Sequence, residues 1–224
     1  MKIKAIITGT TGMVGEGVLY ECLNHPDVEE ILVINRKPCG YSHPKLKEII
    51  HKNFFDFSPI ENQLKGYNAC YFCLGVTSLL MNEKDYSHVT HDLTLSVANV
   101  LLRNNPDMTF CYISGAGTDG SEKGKLMWTR VKGKTENDLM RVGFRKAIMF
   151  RPALIEPTKG LKNTQTVYKP VLWLIPTLRV LMPNYICSLK EIGLAMINSV
   201  EKGQDKAILE VRDIVKLASS GTQI

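Results

Sequence analysis

The 224-residue sequence has little that would assign it to several large classes of protein. Its densest apolar stretch, "VYKPVLWLIPTLRVLMP" from Val167 to Pro183, carries Lys169, Arg179 and three prolines. It is also shorter than the roughly 20 residues a membrane-spanning helix needs, so no transmembrane segment is expected. No long run of one charge is present: the net charge of +6 comes from 28 basic and 22 acidic residues dispersed along the chain. That balance suits an anionic ligand, and without a basic stripe interleaved with aromatics no nucleic-acid partner is expected. The N-terminus has no room for a secretory signal, because "MKIKAIITGTTG" enters a strand-like run at its third residue; a cytoplasmic protein is expected. Repeats and low-complexity segments are absent. Six cysteines are scattered, and only "CYFC" at 70 to 73 has a motif-like spacing. Residues three apart on a strand face opposite ways, so these thiols read as buried strand residues and no metal site is expected.

What is present is an alternation of short β-rich runs and longer helical patterns, the mark of a parallel sheet covered on both faces. With 44% hydrophobic residues the chain can bury one substantial core. The expected architecture is α/β: a Rossmann-type doubly wound parallel sheet in a single domain, 1–224, with a small C-terminal helical elaboration. Strands are expected at Lys4–Thr8, Glu30–Asn35, Leu46–His51, Ala69–Cys73, Thr109–Ser114, Ala147–Arg151 and Ile208–Val211. Helices are expected at Met13–Asn24, Asp85–Asn104, Lys123–Val142 and Leu189–Val200, the last with a Ser188/Glu191 capping box. Residues 155–190 interrupt the alternation and are expected to form a substrate pocket or lid. The apolar stretch within them reads first as a core or dimer-packing helix, next as a lid over an apolar substrate pocket, and last as a peripheral membrane contact.

The strongest signal is "IITGTTGMVGEGVL", where Gly9, Gly12 and Gly15 lie between the first strand and the first helix. One glycine suits the tight turn, one a close approach of backbone to a diphosphate, and one the packing of helix on sheet, while the helix N-terminus offers free N–H groups to phosphates. A merely structural turn is the alternative. At the end of the second strand, "VINRKP" has Asn35, Arg36 and Lys37 where NAD sites usually carry a carboxylate about 20 residues past the loop. NADP(H) is therefore the preferred cofactor and NAD(H) a possible one, unless Arg36 is an ordinary surface residue. Asn53 and Asp56 in "NFFDF" fall where an adenine edge would lie, and Thr77 and Ser78 follow Gly75 in "CLGVTS". His88 and His91, with Tyr86 and Asp92, are further proton carriers or plain solvated residues.

The segments "TGTTGMVG", "CLGVTS", "YISGAG", "VKGKTEN" and "FRPALIEP" together resemble the short-chain dehydrogenase/reductase superfamily. Within it, the chain is similar to the atypical, extended-type branch of NAD-dependent epimerase/dehydratase-like proteins, including the Tat-interacting-protein-like group, over roughly Ile3 to Val200. The resemblance implies a nicotinamide nucleotide lying across the strand C-termini and a catalytic Ser, Tyr and Lys. Ser114 and Lys132 match the serine and lysine, Trp128 occupies the tyrosine position, Gly115 fills a place where many relatives carry a hydroxyl, and Thr90 falls near a position many fill with asparagine. The nucleotide set it implies is Gly9, Thr10, Thr11, Gly12, Met13, Val14, Gly15, Asn35, Arg36, Asn53, Phe54, Cys73, Leu74, Gly75, Lys132 and Pro152. Two functions follow: an NAD(P)-dependent oxidoreductase or epimerase-like enzyme acting on a small carbonyl or hydroxyl substrate, or a non-catalytic NADPH-sensing module that binds a protein. A homodimer or a protein partner is compatible with either.

Overall fold

The computed structural model describes residues 2–163, 175–202 and 204–220. Its sheet begins with β1 (Ile3–Thr8), in which every residue from Ala5 to Thr8 is buried, because helices cover both faces. Six further strands join it: β2 (Val28–Asn35), β3 (Leu46–Ile50), β4 (Ala69–Phe72), β5 (Thr109–Ile113), β6 (Lys146–Arg151) and β9 (Ile208–Glu210). All pairings are parallel, in the order β3-β2-β1-β4-β5-β6-β9. The order reverses direction between β1 and β4, which opens a crevice at their C-terminal ends, where open α/β sheets hold ligands. The expected doubly wound parallel sheet is thus the observed one.

The two faces carry separate cores. Ala5, Ile7 and Tyr71 pack on α1 (Met13–Asn24), α6 (Leu189–Glu201) and α7 (Val211–Ser219). Ile6, Phe72 and Phe110 pack on α3 (Leu93–Asn104) and α4 (Met127–Arg141). Cys70 lies in the second core and Cys73 against the first, so the two thiols do face opposite ways.

Several boundaries differ from the expected ones. The helix expected at Asp85 starts earlier, as α2 (Glu83–Ser87), because the Asn82 side chain accepts the Asp85 amide at 2.9 Å. It passes through a π turn (His88–Asp92) before α3, and there the Thr94 hydroxyl bonds the Thr90 carbonyl at 2.5 Å. Conversely, α4 starts four residues late. The Asp119 carboxylate captures the amides of Ser121, Lys123 and Gly124 at 2.9, 3.0 and 2.5 Å, which removes donors a helix would need. Among the described residues, β7 (Leu154–Glu156) and β8 (Ile186–Ser188), which pair in a small parallel sheet, were not expected, nor were α7 and a short 3-10 helix at Glu61–Leu64. The Ser188/Glu191 capping box is present.

Part of the Val167–Pro183 stretch, residues 167–174, lies outside the described residues. The remainder forms α5 (Ile175–Leu181), which Arg179 ties to Glu156 at 2.9 Å and to Glu191. Its Val180 and Leu181 are 81% and 71% exposed, so this end is not a core helix. Among the described residues no helix is long and apolar enough to cross a membrane.

Gly133 is demanded by packing: a Cβ there would overlap the Asp119 carbonyl where the 115–125 loop crosses α4. Gly133→Ala is therefore expected to cost about 2–3 kcal/mol and lower Tm by about 5–10 °C. Gly75→Ala, with no atom within 4 Å of the new Cβ, is expected to leave Tm unchanged in the same calorimetric scan.

Candidate functional site

The chain leaves β1 through Gly9, whose φ of 74° suits glycine and whose Cβ would lie 2.7 Å from the Cys73 carbonyl. Gly15 is equally constrained, since a Cβ there would overlap the Gly9 carbonyl. Gly12 has no such neighbour at its Cβ position, where the nearest atom is 3.4 Å away. Its amide bonds Gly9 O at 3.0 Å, and no side chain caps the helix that follows. The first N–H groups of α1 therefore lack partners among the described residues and carry the positive end of the helix dipole.

A cleft of about 480 Å³ opens in front of them, lined by Gly9, Thr11, Gly12, Asn35, Arg36, Lys37, Cys73, Leu74 and Gly75. Arg36 and Lys37 are exposed at its mouth. A second cavity of about 190 Å³ shares Arg36 and Leu74 and is lined also by Asn53, Phe54 and Phe55. Asn35 acts on the loop itself: its Nδ2 donates to Thr10 Oγ1 at 2.6 Å and its Oδ1 accepts the Thr10 amide at 3.2 Å. Thr10 is fully buried by that clamp. Met13 and Val14 turn their side chains into the core, which leaves only their backbone for the cleft. Asp56, expected beside Asn53, instead accepts the Ser58 amide at 3.0 Å and is not among the residues lining either cavity.

On the other side of the switch point, β5 is followed directly by Ser114, which is buried. Its Oγ is 2.8 Å from Thr118 Oγ1, and Thr118 donates to the Gly115 carbonyl at 2.7 Å. Because Thr118 has one proton and a carbonyl only accepts, Ser114 is the donor in the first bond. The turn is pinned to β6 by Ser114 N to Phe150 O at 2.8 Å and Ala116 N to Pro152 O at 2.9 Å. Pro152 is thus beneath this turn and lines neither cavity. The Trp128 indole lies over the turn, 3.8 Å from where Cβ atoms on Gly115 and Gly117 would sit.

One helical turn on, Lys132 Nζ donates to Ser114 O at 3.0 Å and Ile113 O at 3.4 Å, and stands 5.6 Å from the centre of the Tyr112 ring. Desolvation pushes its pKa down to about 8, opposed in part by the Glu136 carboxylate. Glu136 is itself fully buried and gripped by Arg151 at 3.0 and 2.5 Å, and Arg151 also reaches Glu210 at 3.1 Å. Thr118 and Glu136 were not expected here from the sequence. A hydroxyl four residues after Ser114 in "SGAGT" was the available signal for the first.

The other expected proton carriers are engaged elsewhere. His91 lies between Asp92 at 2.7 Å and Asp138 at 2.8 Å, and His88 stacks on Phe55 with ring centres 4.5 Å apart. Tyr86 is buried, and the buried Thr90 hydroxyl has no hydrogen-bond partner among the described residues. His25, Asp27 and Glu201 bring potential metal-ligand atoms within 4.8 Å of one another, but Asp27 already pairs with Lys2 at 3.1 Å.

No family model matches the chain. By structure it superposes on ADP-L-glycero-D-manno-heptose-6-epimerase of Helicobacter pylori with a TM-score of 0.66 at 13% identity, covering 98% of this chain and 82% of that one. It also superposes on the enzyme WbmF of Bordetella bronchiseptica, solved with NAD+ (0.66, 12%, covering 97% and 77%). A third match is UDP-N-acetylglucosamine 4-epimerase of Methanobrevibacter ruminantium (0.65, 14%, covering 96% and 81%). The fold is that of the extended short-chain dehydrogenase/reductases.

In sequence, the chain is similar to fungal proteins of one name. It is 23% identical over 171 residues to the mitochondrial protein FMP52-1 of Scheffersomyces stipitis, covering 74% of each. Against the mitochondrial protein FMP52 of Eremothecium gossypii it is 23% identical over 224 residues, covering 96% of this chain and 97% of that one. The Emericella nidulans protein is 29% identical over 156 residues, 66% and 65% of the two chains. These mitochondrial relatives overturn the expectation of a cytoplasmic protein. That expectation rested on the lack of a secretory signal, which carries no information about a mitochondrial address.

Within this extended short-chain dehydrogenase/reductase fold, the burial of Lys132 has a measurable consequence. Its folded pKa lies below the unfolded value of 10.5, so between pH 8 and 10.5 the unfolded chain binds more protons than the folded one and stability rises with pH. In urea titrations Lys132→Met is expected to lose that rise, and at pH 7 to be at least as stable as the wild type.

Proposed function

We propose that this protein binds a nicotinamide dinucleotide, with NADP(H) preferred and NAD(H) bound more weakly, and acts as an oxidoreductase or epimerase-like enzyme on a small carbonyl or hydroxyl substrate. The observation that carries the reading is the uncapped N-terminus of α1 behind the Gly9–Gly15 turn, facing a cleft with Arg36 and Lys37 at its mouth. Free N–H groups and a helix dipole suit a diphosphate, and among the described residues no carboxylate lines the cleft to repel a 2′-phosphate. A charge-assisted bond from Arg36 would contribute about 1.5–3 kcal/mol, roughly a ten- to hundredfold preference. The smaller cavity at Asn53 and Phe54 suits the adenine.

When bound, the nicotinamide ring supplies or takes a hydride. The chain's own part is orientation and polarisation. Lys132 would hold the nicotinamide ribose, and its ammonium, already bonded to two carbonyls, keeps the end of β5 rigid. Ser114 turns its proton from Thr118 toward the substrate oxygen, and Thr118 can then turn its own from Gly115 O to Ser114 Oγ. Trp128 takes no part in proton transfer, since an indole has no phenolic proton to exchange. Ser114 therefore polarises the substrate oxygen, the proton comes from water or from Ser114 itself, and the contribution of a positioned phenol, about 10²–10⁴-fold for a general acid, is forgone. Trp128 also favours the second reading, a non-catalytic NADPH sensor that binds a protein. Retention of a buried serine beside Lys132 favours the enzyme.

Excess NADPH is expected to raise Tm by mass action, and Arg36→Asp to weaken NADPH while sparing NADH in calorimetric titration. Absence of any shift with NAD, NADH, NADP or NADPH at millimolar concentration would sink the reading. A separate expectation concerns Trp128→Tyr, which puts a phenol one turn from Lys132. Reduction of generic aldehydes or ketones should appear or rise in this variant, with NADPH affinity unchanged. Strong wild-type turnover that Trp128→Tyr leaves unchanged would point to another proton carrier.

A further inference from the structure

We infer that Glu16, acting through Tyr41, is a positioning residue that couples nucleotide discrimination at Arg36 and Lys37 to the chain segment leaving β7; the inference rests on reading the cleft as an NADP(H) site. Glu16 lies in the first turn of α1, directly after the glycine loop, and is fully buried. Both of its oxygens are engaged. Oε1 accepts the Tyr41 hydroxyl at 2.6 Å and the Lys162 amide at 2.8 Å, and Oε2 accepts the Asn163 amide at 2.7 Å. Its donors come from two distant parts of the chain, which also touch each other: Lys162 Nζ reaches Gly40 O at 3.3 Å and stands 5.2 Å from the centre of the Tyr41 ring.

A buried carboxylate tolerates no loss of donors without a penalty, so the two segments are held, or let go, together. One of them, the β2–β3 connection, carries Arg36 and Lys37 into the cleft mouth. The other follows β7, which itself follows Pro152, whose carbonyl pins the turn after Ser114. The Glu16 junction therefore joins the end of the cleft where a 2′-phosphate is read to the strand end where the substrate is handled. Seating a nucleotide on Arg36 and Lys37 restrains the connection as far as Tyr41, and through Glu16 it restrains residues 162 and 163. The connection has a second anchor, Cys39 N on Glu48 Oε1 at 2.8 Å, so removing the Tyr41 hydroxyl loosens it without unfolding it.

The test is hydrogen exchange of the peptide spanning residues 158–163 in the full chain, without nucleotide and with NADPH or NADH, alongside calorimetric affinities for both. In the wild type NADPH is expected to slow exchange of the Lys162 and Asn163 amides about tenfold, and NADH far less. In Tyr41→Phe the nucleotide-dependent slowing is expected to vanish and NADPH affinity to fall about five- to tenfold, with NADH affinity held within about twofold. Glu16→Gln should move the same quantities further in the same direction. Where that variant fails to fold, Lys162→Ala, which keeps the backbone amide and removes the hold on Gly40, serves as the second variant and should lie between wild type and Tyr41→Phe. A merely structural anchor would weaken both nucleotides equally. Binding in the wild type with an NADPH/NADH ratio and a slowing that Tyr41→Phe leaves unchanged overturns the coupling alone; binding of neither nucleotide overturns the cleft reading and the coupling with it.

Discussion

The buried ion pair of Glu136 and Arg151 is the interaction on which the candidate site depends. It fastens α4 to the end of β6 from within, and breaking such a pair by removing one partner typically costs 3–5 kcal/mol because the other charge is left uncompensated. With α4 held at that depth, Lys132 reaches the carbonyls of Ile113 and Ser114 and Trp128 covers the turn that follows. Glu136 also contributes to the potential at Lys132, so the same carboxylate that fixes the helix keeps the depressed lysine from falling further.

A sheet whose strand order reverses between β1 and β4 leaves its loops splayed at that point, and the two halves of the site are closed by different means. On the β1 side, close backbone packing of Gly9 on Cys73 and the Asn35–Thr10 clamp make the loop rigid. On the β5 side, side-chain hydroxyls and a lysine satisfy carbonyls that have no strand partner. One half is shaped by the absence of side chains and the other by polar ones.

Much of this was legible in the sequence because it depends on local pattern. The glycine loop, the fully buried run of β1 and the four-residue spacing of Trp128 and Lys132 are all features of contiguous residues. The parts that were not legible depend on distance or on brevity. β7 and β8 have three residues each, too few for alternation to show, and exist only by pairing with each other. α7 does carry a helical spacing in Val211, Ile214, Leu217 and Ala218, but its capping pair is Glu210 with Asp213, and the usual hydroxyl signal is missing. The late start of α4 follows from one aspartate competing for amides, and the contact of Trp128 with Gly115 and Gly117 follows from the loop crossing back over the helix. Neither has a signature in composition or periodicity.

The two outer strands of the sheet, β3 and β9, have a consequence for how copies of this chain can meet. β3 is only half buried and presents Lys47 and Glu48 along the border, with Lys47 bonded across to Glu30 at 2.8 Å. β9 offers three residues before the chain turns into α7. Short, charged borders resist continuation of the hydrogen-bond ladder by a foreign strand. Self-association through extension of this seven-stranded sheet is disfavoured at both ends.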